Sequence, residues 1–126
     1  MKKVKIAIID SGVNCLHPLF TEKKPAIAYN EADLPENECF GHGTAIYNII
    51  RKVDNIADII NFKLNNVELG ANDQELIDLL IKIKNDYTFD LINLSLGVNI
   101  CDHIKELYSI CSELVDLGTI IISAFD

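Results

Sequence analysis

A carboxylate and an imidazole in this sequence have the residue types and local settings that general acid–base chemistry requires. Asp10 ends a short apolar run and precedes a Ser-Gly pair, and His42 lies between two glycines where a helical pattern begins. A carboxylate can hold one ring nitrogen of an imidazole and stabilise the cation that forms when the other nitrogen takes a proton. One aspartate and one histidine in a short chain are by themselves a weak signal, so their surroundings decide the interpretation.

Alternating strands and helices must bring these two residues together. Short apolar runs that are rich in β-branched residues and bounded by polar or glycine positions predict strands. These runs are Val4–Ile9, Pro25–Tyr29, Asp58–Leu64, Asp90–Gly97 and Thr119–Ala124. Helical spacing of apolar residues predicts the elements between them. The predicted helices are Thr44–Arg51, a helix capped by Asn72 whose apolar face runs from Leu76 to Tyr87, and Ile104–Val115, which Gly118 ends.

This alternation predicts an open α/β fold, because strands that are apolar throughout belong to a parallel sheet with helices on both faces. In such a sheet, functional residues gather beyond the carboxyl ends of the strands. Asp10 and the Ser95-Leu96-Gly97 segment both lie at such ends. Residues 1–126 contain no linker or repeat and are predicted to form one domain. Since only Ser123–Asp126 follow the apolar residues Ile120–Ile122 of the last predicted strand, we expect this domain to be the N-terminal portion of a larger one.

Four segments resemble the subtilisin-like serine proteases, and they occur in the same order as in that family. Ile8–Val13 with the following His17-Pro18 resembles the block that carries the family's catalytic aspartate, and Gly41–Thr44 resembles the block that carries its catalytic histidine. Leu91–Gly97 is similar to the segment that lines the substrate cleft. Gly118–Ala124 is similar to the strand that leads to the oxyanion-hole asparagine. Together these segments extend over nearly the whole chain.

The resemblance implies a subtilisin-like three-layer sandwich with a mostly parallel sheet, incomplete at its C-terminal end, and serine endopeptidase activity. Asp10 would be the orienting acid, and His42 would act first as general base and then as general acid. Ser95, Leu96 and Gly97 would form an edge to which a peptide or protein substrate adds as a strand. The family's Gly-Thr-Ser block is absent from the 126 residues. The serine would therefore come from a C-terminal segment or a second chain, and this chain alone is predicted to be inactive.

The missing nucleophile keeps a second, non-enzymatic interpretation open: a truncated protease-like module that binds peptides, or that complements or regulates a partner. Two local alternatives concern cysteines. Cys15 and His17 with Cys39 and His42 could form a zinc site, although the first spacing is cramped, and Cys39 could act as a substitute nucleophile. An ordinary nucleotide-binding domain is disfavoured because no glycine-rich phosphate loop follows the first strand.

The composition argues against several classes of partner. The chain has 11 basic and 19 acidic residues and a net charge of −8, which disfavours nucleic acid. No stretch is long enough to span a membrane, so no membrane partner is expected. The apolar run near the N-terminus is too short for a signal peptide, so we expect a cytosolic protein with reduced cysteines. No metal site and no cofactor are predicted.

Overall fold

The structure is a computed structural model that describes residues 2–14, 27–28, 41–64, 73–95 and 102–123. Within these ranges the chain forms five strands and three helices. In chain order they are β1 (Lys5–Asp10), β2 (Ile27–Ala28), α1 (His42–Val53), β3 (Asp58–Lys63), α2 (Asp73–Asp86), β4 (Leu91–Leu94), α3 (Ile104–Asp116) and β5 (Ile120–Ser123). None of the helices in the described residues is long and apolar enough to cross a bilayer.

The described strands form one parallel sheet in the order β2-β3-β1-β4-β5. β1 is its central strand: Ile8 pairs with Asn61 of β3 on one side and with Asn93 of β4 on the other. The central position explains why β1 is apolar between its first and last residues. The predicted α/β class, a parallel sheet with helices on both faces, is confirmed.

Two apolar cores lie on the two faces of this sheet, because successive side chains of a strand point to opposite faces. Ile6 and Ile8 of β1 pack with α1 on one face, here called the α1 face. Ala7 and Ile9 pack with α2 and α3 on the other, the α2–α3 face. All four side chains are buried, so β1 anchors both cores and ends with Asp10 at the sheet's carboxyl edge.

The connections between the strands do not all have the same hand. From β2 to β3 and from β3 to β4, the chain moves in the same direction across the sheet. The first connection carries α1 on one face, and the second carries α2 on the opposite face. Parallel crossovers that move in the same direction on opposite faces have opposite hands, so one of the two is left-handed. This is rare, since about 98% of such connections are right-handed.

α1 begins at His42, whereas the sequence pattern predicted a start at Thr44. Gly41 precedes the helix with a φ of 94°, a left-handed conformation that glycine adopts without strain. The carbonyl oxygen of Gly41 accepts the N–H of Ala45 at 3.0 Å, which closes the first helical turn. The earlier start places the imidazole in the first turn of the helix rather than in the loop before it.

α2 ends at Asp86. Tyr87 was predicted to belong to the apolar face of this helix, but it follows the helix. The Tyr87 ring nevertheless joins the core of the α2–α3 face, where it stacks on Phe89 with ring centroids 5.3 Å apart. The predicted cap, Asn72, lies outside the described residues.

α3 ends as the sequence predicts. Gly118 has a φ of 98°, and its N–H bonds to the carbonyl of Val115 at 2.9 Å. The N–H of Thr119 bonds to the carbonyl of Leu114 at 3.1 Å. These two bonds and the left-handed glycine make a Schellman motif, which satisfies the last carbonyls of the helix and turns the chain into β5.

Candidate active site

The structure brings Asp10 and His42 into contact at the carboxyl edge of the sheet. Asp10 is the last residue of β1, and His42 is the first residue of α1. The Nδ1 atom of His42 is 2.8 Å from Oδ1 and 2.9 Å from Oδ2 of Asp10. These are hydrogen-bond distances, so Nδ1 faces the carboxylate, and Nε2 lies on the ring edge away from it.

The two side chains differ in exposure in the way that a base and its orienting acid require. The Asp10 side chain is fully buried, whereas 41% of the His42 side chain is accessible. A buried carboxylate is costly unless it is hydrogen-bonded, and Asp10 accepts the N–H of Ser11 at 2.7 Å in addition to the imidazole contact. The carboxylate also lies near the N-terminus of α1, where the helix dipole favours negative charge. The ring is thus held on its inner edge, and the side chain remains partly accessible.

Two side-chain hydroxyls tie the loop after β1 to the first turn of α1. The Ser11 hydroxyl accepts the N–H of Gly43 at 3.0 Å, and the Thr44 hydroxyl accepts the N–H of Asn14 at 2.9 Å. The Ser11 bond satisfies one of the N–H groups that lack a partner within the helix at its start. Neither hydroxyl had a predicted role, and their only signal in the sequence was their place in the two motifs.

Gly43 permits the close approach of α1 to β1. A Cβ atom at this position would overlap the carbonyl oxygen of Gly12 and would lie 3.2 Å from Cβ of Asp10. Gly12 itself has a φ of 106°, which favours glycine. The Asp10–His42 contact therefore depends on two neighbouring glycines, one in each motif, that bring the helix against the end of the strand.

Tyr47 fixes the second turn of α1 to the sheet. Its side chain is buried and packs with Ile6 and Ile8 on the α1 face. Arg51 lies over the ring, 5.2 Å from the ring centroid, and its Nε donates a hydrogen bond to the Tyr47 hydroxyl at 3.0 Å. His42 begins α1 and lies little more than one turn before Tyr47. The packing of Tyr47 therefore also restrains the position of the imidazole.

The predicted substrate edge is described in part. Ser95 directly follows β4, and its hydroxyl accepts a hydrogen bond from the side-chain amide of Asn93 at 2.8 Å. Ile8 of β1 pairs with Asn93, and two further residues along this register place Ser95 level with Asp10. Leu96 and Gly97 lie outside the described residues. A substrate-binding role for the three residues remains a prediction.

A second contact between a histidine and a buried aspartate, which no sequence pattern predicted, lies on the α2–α3 face. Asp73, the first residue of α2, accepts the backbone N–H of His103 at 2.8 Å, and its Oδ2 is 3.2 Å from Nδ1 of that residue. The backbone hydrogen bond from His103 is the main reason that the pKa of Asp73 lies below its ordinary value. Because His103 immediately precedes α3, this carboxylate links the N-termini of two helices.

Three of the four candidate zinc ligands, Cys15, His17 and Cys39, lie outside the described ranges. The fourth, His42, directs Nδ1 at Asp10. Within the part of the chain that the structure describes, no group of three or more potential metal ligands comes together.

No protein-family model matches the sequence, and no curated protein gives a significant match. The function must therefore be inferred from the site itself. A buried carboxylate fixes one nitrogen of a half-exposed imidazole, beside the end of a neighbouring strand, and such an arrangement can move a proton to and from a group at Nε2.

Proposed function

We propose that this chain supplies the orienting aspartate and the general base of a subtilisin-like serine endopeptidase. The observation that carries the proposal is the 2.8 Å contact between the buried carboxylate of Asp10 and Nδ1 of the half-exposed His42. This contact joins the two segments that resemble the family's Asp and His blocks, and it lies at the edge of the sheet where α/β folds bind ligands. The substrates are peptides or proteins, and we place the enzyme in the cytosol.

In this reaction a serine hydroxyl gives its proton to Nε2 of His42 while its oxygen bonds to the carbonyl carbon of the scissile peptide. The carboxylate of Asp10 stabilises the imidazolium through Nδ1. The imidazolium then protonates the leaving amine, the C–N bond breaks, and an acyl-enzyme remains. A water molecule that gives its proton to His42 hydrolyses the ester and restores the serine. No Gly-Thr-Ser block occurs in the 126 residues, so the nucleophile belongs to another segment or chain.

The segment Ser95-Leu96-Gly97 would hold the substrate by backbone hydrogen bonds, as an added strand. The support for this part of the proposal is the register of β1 and β4, which places Ser95 level with Asp10 on the adjacent strand. A peptide that extends along this segment would pass close to the Asp10–His42 pair. Such a position is what proton transfer to its scissile bond requires.

The second candidate function is a non-catalytic peptide-binding or complementing module. The observation that favours it is the sequence itself, which supplies an acid and a base but no serine in a matching motif. Members of a catalytic triad act as a unit, so the pair without a nucleophile retains little activity.

Fluorophosphonate labelling of the native protein distinguishes the two candidates, because the reagent modifies a serine that a neighbouring base has activated. The chain is retrieved under native conditions from the cells that make it, together with any polypeptide bound to it, and is then labelled. We expect one labelled polypeptide. Its intact mass will show whether the serine is in a continuation of this chain or in a separate one. His42→Ala should lower the labelling rate by about 10³-fold or more.

His103→Ala is the matched control, because His103 is also half-exposed and also contacts a buried aspartate. Labelling at the wild-type rate is expected for this variant, with circular dichroism as the check that each variant folds. His42→Ala protein that is labelled at the wild-type rate would refute the general-base role. Wild-type material in which no polypeptide is labelled would favour the non-catalytic module.

A further inference from the structure

A cavity of about 140 Å³ lies on the α2–α3 face, at the amino edge of the sheet. α2 and α3 both end at this edge, and β4 and β5 both begin there. Asp10 and His42 are at the opposite, carboxyl edge, so the cavity is separate from the candidate active site. The apolar part of its lining consists of Ile83, Tyr87, Phe89, Ile92, Leu114 and Leu117.

The cavity has a buried base and an exposed mouth. Ile83, Ile92 and Leu114 are almost fully buried and belong to the core of the α2–α3 face, so they form the base. Thr88 and Leu117 are exposed and also line the cavity, so they mark where it opens to solvent. A molecule that enters the cavity would therefore have its inner end among apolar side chains and its outer end near water.

Contacts between the surrounding elements hold the walls of the cavity in place. Nζ of Lys84 on α2 is 3.2 Å from Oε2 of Glu113 on α3, which fixes the spacing of the two helices. The Thr119 hydroxyl donates to the carbonyl of Phe89 at 2.9 Å, which joins the residue before β5 to the segment before β4. Protein interiors leave few voids larger than a water molecule. A space of this size between fixed elements is a preformed pocket, as sites for small molecules usually are.

The volume and the lining of the cavity indicate a single aromatic ring. A cavity of about 150 Å³ that is lined by aliphatic and aromatic side chains is large enough to bind benzene. Tyr87 and Phe89, whose rings stack with their centroids 5.3 Å apart, form an aromatic wall. A further ring can pack on such a wall in an offset-stacked or edge-to-face arrangement.

The charges around the mouth disfavour an anionic ligand. Lys84 supplies the cationic group of the lining, and its ammonium already contacts the carboxylate of Glu113. The last residues of the two helices, Asp86 and Asp116, add negative charge at this edge. The C-terminal ends of both helices also carry partial negative charge, which favours a hydrogen-bond donor over an anion. The surroundings therefore suit a neutral ligand that can donate a hydrogen bond.

Thr88 offers a hydrogen bond at the mouth of the cavity, because its hydroxyl can both donate and accept. Thr119 also lines the cavity, but its hydroxyl proton is already used in the bond to Phe89. The polar group of a ligand therefore belongs at the mouth, and its ring belongs at the base. A tyrosine side chain of a peptide would enter the other way round, with its hydroxyl at the base. The arrangement thus favours a free small molecule.

We propose that this cavity is a binding site for a small, neutral aromatic molecule that carries one hydrogen-bond donor, of which phenol is the simplest example. The ring of the ligand would lie on Ile92 and Leu114 at the base, beside the wall of Tyr87 and Phe89. Its hydroxyl would lie at the mouth, where it bonds to Thr88. This site would be additional to the proposed proteolysis, which takes place at the other edge of the sheet.

Methyl NMR of the 126-residue chain, titrated with phenol, tests the binding. We expect saturable shifts of the methyl signals of Ile83, Ile92 and Leu114, with a dissociation constant of about 1 mM or lower. Nuclear Overhauser effects should connect the ring protons of phenol to Ile92. The methyl groups of Ile6 and Ile8 lie on the α1 face and should not shift. Cavity methyl signals that do not move at phenol concentrations up to about 10 mM would overturn the proposal.

Leu117→Trp tests whether phenol enters through the mouth of the cavity. Leu117 is 66% accessible, so the larger side chain can be accommodated without disturbing the core, and it should block the mouth. We expect the dissociation constant of phenol to rise by about ten-fold or more. Val115→Trp is the matched control, because Val115 is exposed on the same helix but does not line the cavity. Circular dichroism checks that both variants fold. Wild-type affinity in folded Leu117→Trp would mean that phenol binds elsewhere.

Thr88→Val tests the hydrogen bond at the mouth, since it removes the hydroxyl and keeps the shape of the side chain. The dissociation constant of phenol should rise by about five-fold, whereas that of benzene, which forms no such bond, should not change. An equal effect on both ligands would contradict the role of the hydroxyl.

Two further ligands test the chemical class. Benzoate should bind at least about ten-fold more weakly than phenol, because its charge meets the negative ends of two helices. N-acetyltyrosinamide should also bind at least about ten-fold more weakly, because its backbone amides would occupy the mouth. Benzoate that binds as tightly as phenol would refute the neutral class, and the same result for the tyrosine derivative would assign the cavity to a peptide side chain. None of these measurements uses the Asp10–His42 pair, so this site and the endopeptidase proposal fail or succeed separately.

Discussion

The contact between Asp10 and His42 determines where the neutral imidazole carries its proton. Nδ1 faces both oxygens of a buried carboxylate, at 2.8 and 2.9 Å, and an ionised carboxylate can only accept. The proton is therefore on Nδ1, and the lone pair is on Nε2. That tautomer is the one that a general base needs, because the lone pair points away from the orienting acid.

We predict that ¹⁵N NMR, recorded where the imidazole of His42 is uncharged, will show this residue as the Nδ1–H tautomer. In Asp10→Asn the side-chain amide can donate to Nδ1, so the Nε2–H tautomer should become the major form. His103, whose Nδ1 contacts Asp73, is an internal control in the same spectrum and should not change. An Nε2–H tautomer for His42 in the wild-type protein would contradict the assigned contact.

Gly43 is the residue at which a single methyl group should separate α1 from β1. We predict that Gly43→Ala lowers the free energy of unfolding by about 3 kcal/mol, because its Cβ would overlap the carbonyl of Gly12. Gly118→Ala is the matched control. Its Cβ would meet no atom within 4 Å, so only the left-handed conformation (φ 98°) is penalised, by about 1 kcal/mol. Urea denaturation measures both, and equal losses would refute the close contact.

Residue types and motif spacing predicted Asp10 and His42 as partners, and the structure places them in contact. The same reasoning could not find the contact between Asp73 and His103. These residues are 30 positions apart and belong to no motif, and their meeting depends on how two helices pack on the sheet. The roles of Ser11 and Gly43 were hidden for a related reason, since both act on backbone groups across the site.

At the scale of elements, Asp73 stabilises the start of α3 from the start of α2. Its carboxylate accepts the backbone N–H of His103, and this bond lowers its pKa below the ordinary value of 3.8. A carboxylate with a lowered pKa in the folded state stabilises the protein above its unfolded-state pKa. That contribution is lost as the pH falls through the folded-state pKa.

We predict that Asp73→Asn destabilises the protein at neutral pH and that the difference from wild type becomes smaller as the pH falls from the ordinary pKa of 3.8 through the lowered pKa of Asp73 in the folded protein. Urea denaturation, followed by circular dichroism at a series of pH values, measures this difference. Asp78→Asn on the same helix is the control, because Asp78 is exposed and bonds only locally, to Gln74. Its effect should stay within about 0.5 kcal/mol at every pH. A gap for Asp73→Asn that is independent of pH would mean that the charge is not what stabilises α3.

Periodicity predicted the strands and helices well where apolar residues dominate, as in β1 and in the Schellman end of α3. It placed the start of α1 two residues late, because a left-handed glycine before a helix has no apolar signal. The strand order and the unequal hands of the crossovers were not predictable either. Both depend on which face each helix covers, and the apolar runs of β1 and β3 suit either face equally.

At the scale of the whole molecule, the two helical layers on the common sheet differ in how much apolar packing they contain. The α2–α3 face buries two helices and the cluster of Phe62, Tyr87 and Phe89. On the α1 face, within the described residues, a single helix packs on the sheet; its buried residues are Gly43 and Tyr47, and its N-cap residue, Gly41, has no side chain that could cap it. The Asp10–His42 contact joins these regions, since one partner ends the central strand and the other begins the thinner layer.

We predict that the amides of α1 exchange with solvent through a local opening whose free energy is well below that of global unfolding, whereas those of Ile8 and Ile9 exchange only globally. Arg51→Ala should lower the opening energy of α1 by about 1–2 kcal/mol, because Arg51 bonds to the Tyr47 hydroxyl and to the carbonyl of Ala57.

Lys52→Ala is the matched control, since Lys52 is its exposed neighbour on the same helix. NMR-detected hydrogen exchange at increasing, sub-denaturing urea measures both energies. If the α1 amides exchanged with the free energy of global unfolding at every urea concentration, α1 would not open separately, and the prediction would be wrong.

If α1 does open separately, its opening separates His42 from Asp10 while the sheet stays folded. Any partner or substrate that binds across this contact would then be expected to protect the α1 amides first.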